Sequence, residues 1–192
     1  MTTLLVPARR SFLSSSGKAT LSVAAIALLA GRADLASAAT GDAAKDVDIL
    51  NVALGLEHEA INAYQLGATS GLLQKPVLDV AVLFQSHHKS HRDALIATIE
   101  KMGGKPVAEK SINDYAKALN AASLTSQADV LNLAARLEMG ATNAYLSVIP
   151  AFKDHNLAQI AGRLAADETM HWTALTSALG RPLPTKALSF GA

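Results

Sequence analysis

Leu137-Glu138-Met139-Gly140-Ala141-Thr142-Asn143-Ala144-Tyr145 repeats Leu56-Glu57-His58-Glu59-Ala60-Ile61-Asn62-Ala63-Tyr64 at an offset of 81 residues, with Leu, Glu, Asn, Ala and Tyr identical. Each copy puts one glutamate on an apolar stripe with steps of three and four. The stripes are Leu50, Ala53, Glu57, Ala60, Tyr64 and Leu131, Ala134, Glu138, Ala141, Tyr145. That spacing is one face of an α-helix. Burying an unpaired carboxylate is expensive, so Glu57 and Glu138 either meet something cationic or their face is locally wet.

A second echo lies downstream of each copy. His91-Arg92-Asp93-Ala94-Leu95 aligns with His171-Trp172-Thr173-Ala174-Leu175 at an offset of 80. The stripes here are Val80, Phe84, His88, His91, Leu95 and Leu164, Glu168, His171, Leu175. Gly104-Lys105-Pro106 echoes Gly180-Arg181-Pro182, and the earlier segment is four residues longer before its glycine, about one helical turn. The chain therefore reads as two helical hairpins of common design.

Caps and breakers set the expected bounds. The first helix begins near Asp46, a capping residue, and runs to about Ala68 before Gly71. The second starts at Pro76, suited to a first turn, and ends at about Met102 before Gly103-Gly104. Residues 103–125 form a long connection with a short helix over Ser111 to Leu119. The third helix is capped by Thr125 or Ser126 and ends before Pro150. The fourth runs from about Asp154 to Gly180, and the tail over 181–192 has no clear element. Four long helices, two short turns and one long link between helices 2 and 3 make an all-α four-helix bundle with a crossover, spanning 46–180.

The first 38 residues read as a leader and 39–45 as a flexible lead-in. Arg9-Arg10-Ser11-Phe12-Leu13, a mild apolar run from Ala19 to Ala30 and the small-x-small site Ala36-Ser37-Ala38 form a secretory signal peptide, resembling the twin-arginine type. It predicts a periplasmic or otherwise exported protein with no membrane span once the leader is removed; a leader left uncleaved as an anchor is the alternative. Arg9, Arg10, Lys18 and Arg32 against Asp34 give the leader +3, leaving −2 of the chain's +1 for the rest. A mildly acidic domain offers no electrostatic case for nucleic acid. The chain has no cysteine, which excludes disulfides, thiolate metal sites and cysteine nucleophiles. No serine or glycine-rich motif supports a hydrolase.

Glu168 and His171 stand three apart, on one helical face. The alignment of the halves adds Glu57, Glu138, His88 and His91, so each half offers one glutamate on its first helix and a two-residue step on its second. This chain resembles the ferritin-like superfamily, and its exported bacterial members with twin-arginine leaders in particular. In that arrangement two helices each give a glutamate and two each give Glu-x-x-His around two iron or manganese ions. The resemblance covers roughly residues 46–180. It implies a metal site at Glu57, His88, His91, Glu138, Glu168 and His171, holding one or two transition-metal ions, iron or manganese before zinc.

One position departs from the pattern. The second helix reads His88-Lys89-Ser90-His91, with histidine where the resemblance implies glutamate. Gln85-x-x-His88 is an alternative register, and His87 is an alternative to His88. Three carboxylates then face two divalent ions, so a mononuclear site, or a dinuclear one with an added anion, enters consideration. His58, Glu59 and His155 read as surface residues and Trp172 as packing. Tyr64 and Tyr145 read as core residues whose hydroxyls could reach a ligand. Two functions follow from the resemblance: an exported metalloprotein acting on peroxide or Fe(II), or a non-enzymatic envelope stress or binding protein with a vestigial or structural metal site. Iron storage in a shell would need a cage assembly. Either a monomer or an oligomer is compatible with the sequence.

Overall fold

The computed structural model describes residues 42–191, and the expected leader lies outside them. The elements are α1 (Asp42–Thr69), α2 (Lys75–Lys101), the short α3 (Ile112–Ala118), α4 (Gln127–Val148) and α5 (His155–Ala178), with 3-10 turns at Ala121–Ser123 and Ile149–Ala151. The protein is all-helical among the described residues, a four-helix bundle of α1, α2, α4 and α5. Two hairpins, α1–α2 and α4–α5, pack internally most closely and join chiefly through α1 against α4. No described helix is long and apolar enough to cross a membrane.

The ends of the helices follow local chemistry. Ser126 and Asp154 accept from the backbone N–H of Asp129 and Asn156, capping α4 and α5. Pro76 occupies the first turn of α2. Gly103 and Gly180 adopt φ of 76° and 66° just past α2 and α5, and each end closes with paired backbone bonds: Gly104 N–H to Ile99 O, and Arg181 N–H to Thr176 O. By backbone conformation, then, Gly103 rather than Gly104 corresponds to Gly180. α1 starts at Asp42, four residues before the expected cap, because Asp42-Ala43-Ala44-Lys45 continues the helix and Asp46 is buried inside it.

The crossover corrects two surface expectations. His58 and Glu59 are buried, because residues 103–111 lie over that face of α1. Asn51 donates to Lys105 O at 3.1 Å and accepts from Val107 N at 2.7 Å. Asn62 donates to Glu109 at 2.6 Å, and His58 Nε2 lies 3.3 Å from Val107 O. Gly104 permits this close lie, since a Cβ there would meet Val47 Cγ1 at 2.5 Å. Val80, expected in the core stripe, is 40% exposed. His155 is exposed, and Trp172 packs edge-on against Phe190 of the tail.

The core is divided along the bundle. At one end Leu54 and Ile99 are fully buried, with Leu50, Leu95, Leu157 and Leu164 around them. At the other, Tyr64, Phe84, Leu131 and Leu175 form a second cluster. Between the two lies a polar layer.

Candidate metal centre

The polar layer contains all six sequence-expected residues. Glu57, His88, Glu138, Glu168 and His171 are at most 2% exposed, and His91 is 9% exposed. α1 supplies Glu57, α4 supplies Glu138, α2 supplies His88 and His91, and α5 supplies Glu168 and His171. Their potential ligand atoms form two groups, Glu57–His88–His91–Glu168 and His88–Glu138–Glu168–His171, with atoms in each within 4.8 Å of one another. His88 and Glu168 belong to both.

The separations suit donors arranged around a point. His91 Nδ1 lies 3.3 Å from Glu168 Oε1 and 3.6 Å from Glu57 Oε1. His171 Nδ1 lies 3.1 Å from Glu168 Oε2 and 3.4 Å from Glu138 Oε2. With metal–ligand bonds of about 2.0–2.2 Å, two donors on one ion stand about 3–4 Å apart. Three of these buried atoms, His91 Nδ1, Glu138 Oε2 and Glu168 Oε1, make no hydrogen bond. Buried polar atoms are nearly always satisfied, so three orphans aimed into one small volume fit a bound cation. Mixed imidazole and carboxylate is the donor chemistry of a transition metal.

His88 lies at the middle of the layer. Its Nδ1 is 2.8 Å from Glu57 Oε2 and its Nε2 is 3.2 Å from Glu138 Oε1. This selects His88 over the alternatives. His87 is half-buried outside it, with Nδ1 2.9 Å from His171 Nε2. Gln85 turns to Ile61 O and Gln65, away from the centre.

A surrounding shell orients the donors. Tyr64 donates its hydroxyl to Glu138 and Tyr145 donates to Glu57, so each tyrosine serves the glutamate of the other hairpin. Asp167 Oδ2 lies 3.1 Å from His91 Nε2, which leaves Nδ1 facing inward. Phe84 stacks on His171 with ring centroids 4.1 Å apart, fixing that ring from the apolar side. Sequence reasoning did not reach Asp167; its only signal was its position beside Glu168.

Electrostatics follows from burial among opposite charges. Burial alone would raise Glu57, but the His88 and His91 imidazoles beside it bring it down to about 2. Glu138 is also lowered, burial being outweighed by His171 and His88. Glu168 is raised to about 7, by burial and then by the Glu138 charge. Burial opposes the proton on His91, yet the neighbouring carboxylates of Glu168 and Glu57 raise it to about 10. His88 and His171 are raised against burial by Glu138 with Glu57 and Glu168 respectively. Tyr64 and Tyr145 are pushed well up by burial and neighbouring carboxylates, so they stay protonated donors.

Comparison with known proteins agrees with this geometry. A family model described as a ferritin-like domain matches residues 45–181. The crystal structure of a conserved hypothetical protein, rv2844, from Mycobacterium tuberculosis is similar in fold, with a TM-score of 0.61 at 21% identity, covering 77% of this chain and 99% of that one. No curated protein matches. With more than half of its length matched to that domain, the chain belongs to the ferritin-like domain family.

Proposed function

We propose that this is an exported metal-binding protein that holds one or two iron or manganese ions at Glu57, His88, His91, Glu138, Glu168 and His171 and acts on peroxide or Fe(II). The observation that carries the reading is the pair of four-residue donor groups sharing His88 and Glu168, with three orphaned donor atoms between them. A bound iron or manganese ion would supply one-electron redox chemistry and Lewis acidity.

The chain's own residues do the rest. Glu57 and His91 lie on one side of the layer and Glu138 and His171 on the other, while Glu168 reaches both. Asp167 and His87 hold the outward nitrogens of His91 and His171, fixing which nitrogen faces in. Tyr64 and Tyr145 fix the carboxylate rotamers of Glu138 and Glu57. Three carboxylates against two divalent ions leave one positive charge, which an added anion would balance; one ion leaves one negative charge, which one protonated imidazole would balance. In this reading residues 1–38 serve as the twin-arginine leader and 181–192 as tail, with the bundle between them beginning at Asp42.

The test is metal analysis of protein purified from its native compartment, followed by assays of Fe(II) oxidation and peroxide consumption. Bound iron or manganese, with turnover above free-metal controls that Glu168→Ala abolishes, is expected. Absence of transition metal, with Glu138→Ala leaving thermal stability unchanged, overturns it. One observation favours a non-enzymatic second reading: His88 stands where the resemblance implies a glutamate and pairs Glu57 and Glu138 directly, so the centre has one carboxylate fewer. That reading expects bound metal without turnover. Export is tested by mass after leader removal and by loss of translocation in Arg9→Lys with Arg10→Lys.

A further inference from the structure

The bundle has an apolar cavity of about 290 Å³ at the end formed by the C-terminal turns of α1 and α5 and the N-terminal turns of α2 and α4. Its volume comes from small side chains on all four helices: Ala63, Gly67, Ala81, Ala134, Ala174 and Ala178. Gly67 also lets α1 approach α4, since a Cβ there would meet Val130 Cγ1 at 2.9 Å. The opposite end of the bundle is lined by larger side chains. There the last turn of α2 brings in Ile99, and Met102 just past the helix and Phe152 pack against the same cluster. Unfilled apolar volume costs stability in proportion to its size, a cost that an apolar occupant would offset.

Two features give the cavity a chemical reading. The residues around it carry no charge, and Tyr64 is the one whose side chain has a polar group. That hydroxyl is already committed to Glu138, and Val80, 40% exposed, stands on the solvent side. A charged ligand would be desolvated there without a partner. Tyr64 is therefore a shared wall: its ring lines the cavity and its hydroxyl holds a carboxylate of the His/Glu centre.

We infer that this cavity binds a small uncharged apolar molecule, of the alkyl or simple ring class, and that its occupancy is felt at the centre through Tyr64 and Glu138. The size is at the lower end of small-molecule sites, which admits one such molecule. The coupling to the centre rests on the metal reading above; binding in the cavity does not.

The experiment titrates 1-octanol into metal-free and metal-loaded full-length protein, followed by methyl NMR and calorimetry. Expected is saturable binding with shifts confined to the methyls of Val77, Ala81, Leu131 and Ala134, and at least a ten-fold weakening in Ala134→Leu. Wild-type spectra decide the site even if that variant fails to fold. No saturable binding in either form, or shifts spread over the outer surface, overturns the inference. A change in the electronic spectrum of the Co(II)-loaded protein on adding 1-octanol, lost in Tyr64→Phe, is expected from the shared wall. Octanol binding with an unchanged Co(II) spectrum overturns the coupling, whereas failure to bind Co(II) with octanol binding intact overturns the metal reading alone.

Discussion

Replacing Glu168 by glutamine separates what this carboxylate does for metal from what it does for folding. Glu168 is fully buried, with its oxygens 3.1 Å from His171 and 3.3 Å from His91. Burial, and then the charge of Glu138, lift it from 4.5 to about 7. A folded-state value above the unfolded one means that the folded chain keeps a proton the unfolded chain has lost. Stability therefore falls as pH rises from 4.5 to 7, and the loss is complete above that. At about 1.4 kcal/mol per pH unit the loss is on the order of 3 kcal/mol. Glutamine keeps the shape and carries no charge, so the variant lacks this pH dependence. Metal-stripped wild type and Glu168→Gln are to be unfolded in urea at pH 5 and pH 8. The difference between them should move by about 2–3 kcal/mol in favour of the variant at pH 8, because any packing cost of glutamine is common to both conditions. Metal affinity, measured by chelator competition, should fall further than in Glu57→Gln or Glu138→Gln, since only Glu168 of the three is in both donor groups. An equal stability difference at both pH values refutes the burial argument. Unchanged metal affinity refutes the assignment of Glu168 as a shared donor.

Three further outcomes are expected. His88, His91 and His171 are all raised, so their stabilisation of the metal-stripped protein is complete below 6.5 and is lost as pH rises, through about 10 for His91; thermal midpoints should fall from pH 6.5 to 9 without metal and rise over that range with it, because ions bind the deprotonated rings. Tyr145→Phe removes the donor to Glu57 and should weaken metal binding by about 10–100-fold by chelator competition, as loss of outer partners commonly does. Asn51→Ala breaks the two bonds this side chain makes to the crossover and should cost about 2 kcal/mol in urea unfolding while leaving metal affinity unchanged.

The four long helices were legible because their apolar stripes keep one period over several turns and their ends carry strong local signals. Ser126 and Asp154 act on backbone N–H groups two or three residues away, and Pro76, Gly103 and Gly180 through their own backbone, so distant residues cannot change what they mean. His58 and Glu59 were misread for the opposite reason. Their helical face was correctly placed away from Glu57, but what covers that face is the link at 103–111, which has no periodicity to read. Val80 belongs to a core stripe by spacing and yet stands at a cavity mouth, since a stripe gives direction and not depth.

By itself the sequence determined the helices, their pairing into two similar hairpins and the candidates for the polar layer, with His87 left as an alternative to His88, because a carboxylate or imidazole at core register is too costly to bury without a partner. The tertiary structure decided which of them meet. Seven residues along a helix span about 10 Å, too far for Tyr64 to reach Glu57 on its own helix. Antiparallel packing of α1 on α4 instead brings Tyr64 to Glu138 and Tyr145 to Glu57. The same packing put His88 rather than His87 in the layer and set Asp167 behind His91. It also left one end of the bundle hollow beside Tyr64. Each of these depends on how far one helix stands from another, a distance that no stretch of chain encodes alone.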